Sequence, residues 1–195
     1  MAAPHRSIRS TAAVSTDTTA PGGGSPPVRA ISTRGGASLH IRPITAGDRE
    51  RLAAAFDALS ERSRQLRFLA PKPRLSSAEL TYFTDVDHRT HEALVAVEPA
   101  SDRIVGVARY ATLAGARDTA EVALVVADEW QGRGIGTRLM NDLRERAIEN
   151  GLARLVATTL HDNRAARVVL RRAGFRTRHM AGGMLELALE LTPAG

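Results

Sequence analysis

The sequence predicts one α/β domain behind an N-terminal tail, and three observations carry that reading. Residues 1–37 are mostly Ala, Ser, Thr, Pro and Gly, with almost no periodic apolar residues, too little apolar surface to offset the entropy of ordering. From Ser38 onward, three β-rich runs separated by turn residues follow one another in the manner of a meander. After the meander, helical and strand patterns alternate to the end of the chain.

The tail, 1–37, is expected to be disordered. Its Arg and Ser with little acid resemble an organellar transit peptide, and no apolar stretch of a secretory signal is visible. A dispensable extension or an over-long start is the plainer reading. The 158 residues that follow suffice for a well-buried domain, 38–195. Leu39–Ile44 reads as a strand. Thr45 to Asp48 supply capping chemistry before Leu52, Ala55, Phe56 and Leu59 recur at helical spacing. A second helix covers Glu61–Phe68 and stops at Pro71 and Pro73, and Ser76 or Ser77 can cap a third through Phe83. The meander comprises Glu92–Glu98, Ile104–Leu113 and Thr119–Val126. Helix Gly134–Asn150 closed by Gly151, strand Arg154–Thr159, helix Asn163–Ala173 closed by Gly174, and a last strand within Met184–Leu191 complete the chain.

Composition excludes several classes of function. The 195 residues are 43% hydrophobic, 25% charged and 4% aromatic, an ordinary soluble profile. No apolar run approaches the roughly 20 residues of a membrane-spanning helix, so no membrane partner is expected. With no cysteine, disulfides, thiolate nucleophiles and Cys-based metal sites are out, and a reducing, cytoplasmic compartment fits. The net charge of +6 invites a nucleic-acid reading, but 26 of the 27 basic residues are Arg and the tail carries half of the excess. Without interleaved aromatics, no nucleic-acid partner is expected.

The most informative segment is Val122 to Thr137. A strand ends at Val126, Asp128, Glu129 and Trp130 bridge, and Gln131-Gly132-Arg133-Gly134-Ile135-Gly136-Thr137 opens a long helix. Glycines at 132, 134 and 136 remove Cβ atoms where backbone N–H groups must approach a ligand, and the helix N-terminus adds free donors and its positive dipole end. Arg133 adds a charge suited to phosphate oxygens. A dinucleotide fingerprint fails, because Thr137 replaces its third glycine and Ala157 and Thr158 stand where its acid belongs. A P-loop fails for want of a lysine.

What remains resembles the coenzyme A pyrophosphate loop of the GCN5-related N-acetyltransferases (GNAT), and the resemblance runs from about Leu39 to Leu191. Asn163-Arg164-Ala165-Ala166 through Ala173-Gly174-Phe175 is similar to the family's second conserved segment, in which an Asn contacts the coenzyme. Asn163 also suits an N-cap. The resemblance implies an α/β (α+β) GNAT-type domain with a mixed central sheet of about six to seven strands flanked by helices. It also implies two parallel strands, ending near Val126 and starting near Arg154, that splay apart around the pantetheine arm. Acetyl-CoA is then the cosubstrate, with no metal, and Leu124, Val125, Val126, Gln131, Gly132, Arg133, Gly134, Ile135, Gly136, Thr137 and Asn163 are the expected binding residues. The tyrosine that protonates the departing thiolate in many members falls at Leu170, so no general acid is assigned.

Acetyl transfer needs a neutral amine, and a lysine near pKa 10.4 is neutral at pH 7 about one part in a few thousand. Glu121 stands alone among Thr119-Ala120-Glu121-Val122-Ala123-Leu124-Val125-Val126; buried there, its pKa would rise toward that of a useful base, whereas at an exposed strand start it would merely be solvated. It shares a face with Ala123 and Val125, which leave room for a substrate. Bacterial protein lysine acetyltransferases of this superfamily place their proposed general base at this point. Ser63-Arg64-Gln65-Leu66-Arg67-Phe68, Pro71-Lys72-Pro73-Arg74-Leu75-Ser76 and Ile104-Val105-Gly106-Val107-Ala108-Arg109-Tyr110 resemble the same subgroup. The resemblance therefore implies direct transfer to protein lysines, an acyl-CoA synthetase being one such substrate, by a monomer or weak homodimer. Acetylation of a small amine and a coenzyme-binding scaffold without turnover are the alternatives. Asp85, Asp87, His88, His91 and Glu92 form a second polar cluster, read as a solvated loop and strand entry rather than a metal or acid/base site, and His161 and Asp162 read as loop and capping residues.

Overall fold

Alternating buried and exposed side chains draw the chain into one mixed sheet of eight strands, with helices on both faces. The computed structural model describes residues 28–191. In chain order these form β1 (Arg29–Ser32), β2 (Ser38–Pro43), α1 (Arg49–Asp57), α2 (Glu61–Phe68), α3 (Ser77–Thr84), β3 (His91–Glu98), β4 (Arg103–Leu113), β5 (Ala116–Val126), α4 (Ile135–Glu149), β6 (Arg154–Leu160), α5 (Arg164–Arg172), β7 (Arg176–Ala181) and β8 (Met184–Glu190), with single 3-10 turns before α1 and α4. The sheet order is β1-β2-β3-β4-β5-β6-β8-β7, and β5–β6 is its one parallel pair among the described residues.

Local chemistry sets the helix ends where the sequence places them. Ser60 caps α2 by accepting from the Ser63 N–H, and Leu69 ends it in the left-handed region, before the prolines act. Ser76, not Ser77, caps α3, in a reciprocal box with Glu79. Glycines with positive φ follow α4 and α5, at 151 and 174.

Two apolar clusters sandwich the sheet. On one face Leu139, Met140, Leu143 and Ala147 of α4 and Leu170 and Ala173 of α5 pack over Leu94, Val105, Tyr110, Val122 and Leu155. On the other, Leu52 of α1 meets Ile44, Val95, Ile104 and Val107, with Phe83 and Val125 alongside. Burial of these side chains is the main favourable term holding the layers together.

The architecture departs from the expected one at both edges of the sheet. The sheet has eight strands rather than six or seven, because β1 and β7 join it. The domain also begins before Ser38: Arg29–Ser32 pairs in register with Ser38–Ile41, Thr33 N–H donates to the Ala37 carbonyl at 2.9 Å across the turn, and Ile31 packs on the main cluster. Backbone pairing, which leaves no trace in composition, orders this segment. The expected disorder of 1–27 lies outside the described residues.

Candidate active site

The site begins with the way β5 parts from β6. They pair only at Thr119–Arg154, Ala120–Leu155 and Glu121–Val156. Past Glu121, β5 stays bonded to β4 as far as Val126–Gly106, while β6 stays bonded to β8 as far as Leu160–Met184. Each strand follows its outer neighbour, so the two diverge and a fork opens, as the resemblance implied. Ala127 N–H donates to the Val105 carbonyl, so residues 127, 125 and 123 turn their peptide groups toward β4, and 126, 124 and 122 turn theirs into the fork. Leu124 and Val126 therefore offer edge groups to an extended ligand arm. The Val126 carbonyl is taken by the Gln131 side-chain amide at 3.1 Å, which leaves its N–H.

At the mouth of the fork the glycine loop turns into α4. Gly132 and Gly134 have φ of +75° and +89°, a region that costs most other residues roughly 1–2 kcal/mol. A Cβ on Gly132 would meet nothing within 4 Å, so the loop presents bare backbone to an open side. The helix ladder starts with Arg138 N–H donating to the Gly134 carbonyl at 3.1 Å. Among the described residues, none accepts from the N–H groups of 132–137. The first turn of α4 contains no acid. Arg133 holds its guanidinium 4.9 Å over the Trp130 ring. The adjoining groove, about 500 Å³, is lined by Arg34, Arg133, Arg138 and Arg172 among others. Arg138 is paired with Asp142 at 2.9 Å, while Arg34, Arg133 and Arg172 form no ion pair among the described residues; free donors, helix dipole and these charges together suit a diphosphate.

The loop residues also differ in how they pack. Gly136 is buried, and a Cβ there would lie 3.2 Å from Leu124 Cδ2 and 3.4 Å from Val169 Cγ2, so the absence of a side chain lets α4 settle on β5 and α5. Ile135 likewise packs into the core. Gln131 turns its amide inward to brace the loop. Asp128 ties this loop to α2, accepting from the Ser60 N–H at 2.9 Å, the Ser60 hydroxyl at 3.0 Å and the Ser63 hydroxyl at 2.6 Å. Burial alone would raise its pKa, but these bonds outweigh burial and hold the carboxyl below its ordinary value. Asn163 caps α5, its side-chain oxygen accepting from Ala166 N–H at 3.1 Å. Leu170 is buried against the main cluster.

Glu121 occupies the crotch of the fork, opposite Ala111 of β4 and Val156 of β6. Alternation turns its side chain, with those of Ala123 and Val125, to the face covered by α1, α2 and α3. It is half-buried, neither sealed in apolar surroundings nor simply solvated, and Thr158 Oγ1 lies 3.5 Å away. Arg67 of α2 is close enough for the two charges to attract. Sequence reading missed two neighbours: Arg34, which reaches the glycine loop from the β1–β2 turn through a 3.1 Å bond between its N–H and the Arg133 carbonyl, and Arg109, buried beside Ala123.

The second polar cluster divides: Asp85 and Asp87 lie exposed before β3 and His91 opens that strand, whereas Glu92 is drawn inside. Glu92 is fully buried, bonded to His88 Nδ1 at 2.7 Å and to Arg146 Nε at 3.1 Å, which clamps α4 to β3. Asp87 caps the turn through the N–H groups of Arg89 and His91. His91 is pushed down to about 4 by burial and by Arg109. Among the described residues, no group of three or more ligating side chains is arranged to hold a metal.

A forked sheet with a glycine loop at its mouth defines an acyl-coenzyme A-dependent transferase. Residues 56–175 match the family described as Acetyltransferase (GNAT) family. The chain belongs to that family and is an acyltransferase that uses acetyl-CoA as its donor. It is 34% identical over 142 residues to Acetyltransferase PA5475 of Pseudomonas aeruginosa, covering 72% of this chain and 76% of the relative. It is 33% identical over 144 residues to Acetyltransferase Pat of Mycolicibacterium smegmatis, covering 74% of this chain but 43% of that protein; the match thus spans less than half of the larger relative. The GNAT domain of S. lividans PAT superposes with a TM-score of 0.78 at 30% identity, covering 84% of this chain and 97% of that one. No helix among the described residues is long and apolar enough to cross a membrane.

Proposed function

We propose that this acyltransferase acetylates lysine side chains of proteins, an acyl-CoA synthetase among them, in a cytoplasmic setting and by direct transfer within a ternary complex. The carrying observation is the position of Glu121, on the β5 segment where the sheet parts and half-open to solvent. The N–H groups of residues 132–137 and Arg133 hold the coenzyme's diphosphate, Leu124 and Val126 pair with its arm, and the Val126 N–H polarises the thioester carbonyl. Glu121 takes the proton of the attacking amine, directly or through water, as the carbon–nitrogen bond forms, the carbon–sulfur bond breaks and the sulfur leaves as thiolate. The likeness to proteins named Pat supports a protein acceptor.

The test is Glu121→Gln. We expect coenzyme affinity within a few-fold of wild type and turnover on an acyl-CoA synthetase lowered about 10²–10⁴-fold, with the modified lysine identified by mass spectrometry. Wild-type turnover in the variant would remove Glu121 as the base. Turnover confined to small amines would move the acceptor class.

A further inference from the structure

The face that carries Glu121 also carries two arginines whose surroundings the transfer step does not explain. Between α1, α2 and the β4–β5 pair lies a cavity lined by apolar side chains, Leu52, Phe56, Phe68 and Val125 among them, and by the guanidinium-bearing Arg67 and Arg109. Arg109 is 6% exposed. It donates to the Phe83 carbonyl at 2.8 Å, faces His91 Nε2 at 3.2 Å and lies 4.3 Å over the Phe83 ring. His91 is neutral there, so it supplies a lone pair and no charge. Arg67 rests 4.8 Å over the Phe68 ring. Among the described residues neither guanidinium forms an ion pair, and Glu121 attracts Arg67 only at longer range. Arg67 is half-buried and Arg109 almost wholly buried; burial lowers both from the usual arginine range, Arg109 to about 9 and depressed further by Arg67 itself.

Two like charges facing one apolar cavity without a counter-ion are costly, and a desolvated anion seated between them would turn that cost into attraction. The lining excludes a bulky or strongly hydrated anion. A short aliphatic chain ending in a carboxylate matches both features, apolar walls for the chain and planar forks for the oxygens. The cavity floor is the Val125 side of β5, on the same sheet face as Glu121, so such a group would belong to a molecule engaged at the reaction centre.

We propose that this cavity is a carboxylate-binding subsite, in which Arg67 and Arg109 select a substrate carrying a carboxylate on a short aliphatic chain. The proposal deepens the acyltransferase reading and rests on it for the word substrate. The carboxylate comes either from the far end of the donor's acyl group or from a position near the acceptor amine.

Binding is read first, without turnover, by following the side-chain Nε–H resonances of Arg67 and Arg109 in the ¹⁵N-labelled full-length chain. Butyrate is expected to shift both signals saturably, butyramide to leave them in place, and Arg67→Gln, checked for an intact backbone amide spectrum, to weaken butyrate at least about tenfold. If butyrate and butyramide act alike, or neither acts, the subsite does not exist, whatever the enzyme acetylates. Kinetics then assign the source: succinyl-CoA against butyryl-CoA with one amine, and lysine against cadaverine with acetyl-CoA. A preference of about tenfold or more for the carboxylate in one arm, lost in Arg67→Gln, assigns the source. Absence of preference in both arms overturns the subsite as a substrate determinant while leaving Glu121-dependent transfer untouched.

Discussion

Asp48 shows how one residue can fix a local structure and its response to acid. Its buried carboxylate accepts from both terminal nitrogens of Arg42 at 2.7 Å, from the Thr45 N–H at 2.9 Å and from Arg51 at 3.0 Å. Burial alone would raise its pKa, but these partners outweigh burial and lower it to about 2. A depressed carboxylate contributes stability that is present above its ordinary value of 3.8 and lost as pH falls through about 2. Asp48→Asn should therefore remove about 2 kcal/mol of unfolding free energy at neutral pH and flatten stability between pH 4 and 2, read by denaturant unfolding across that range. His91 obeys the same sign for a different reason: neutral in the fold and held at about 4, it favours folding above 6.5 and ceases to as pH falls toward 4. In His91→Gln the slope of stability between pH 6.5 and 4 should decrease; an unchanged slope would place the titrating group elsewhere. Arg146 is the third case, since removing it leaves Oε2 of the fully buried Glu92 without its partner, while Oε1 keeps His88 and the Ala93 N–H. Arg146→Met should cost about 3–5 kcal/mol by chemical denaturation.

At the scale of elements, the glycine loop and α4 are held by packing as much as by turn geometry. Gly136→Val would press a branched side chain against Leu124 and Val169 and should lower unfolding free energy by about 1–3 kcal/mol while displacing α4 from the fork. Gly132→Ala meets open space but keeps φ at +75°, so about 1–2 kcal/mol of strain is expected there without a packing defect. Most elements were legible in the sequence because apolar period and caps agree, as in α4, where Leu139, Met140, Leu143 and Ala147 face the core and Gly151 ends the run. The two missed strands lack that signal. All six residues of β7 are exposed, so no alternation marks it, and β1 is four residues long with one half-buried side chain. Both are edge strands, stabilised by pairing with a neighbour that the sequence does not reveal. The glycine loop was readable as a contiguous motif. Its close packing on Leu124 and Val169 at Gly136 was not, because those neighbours come from other elements.

At the scale of the molecule, function comes from how the sheet is divided. β4 holds β5 and β8 holds β6, and the mismatch between those two ladders opens the fork that α4 closes at one end. Glu121, the glycine loop and the paired arginines belong to separate elements, and only the assembled sheet brings them to one region. Arg67 and Arg109 are separated by 42 positions in the sequence, and their convergence on the Glu121 face depends on the strand register, so sequence reading stopped at Glu121. Transfer by this arrangement requires acetyl-CoA to lie along the glycine loop and the β5 edge. The direct measurement is a titration of the ¹⁵N-labelled chain with acetyl-CoA, following backbone amides. The largest shifts are expected at Gly132 to Thr137 and at Leu124 and Val126, with the amides of Glu149 to Gly151, at the far end of α4 from the loop, little changed. Saturable binding that leaves those loop and strand amides unmoved, and shifts another surface instead, would contradict it.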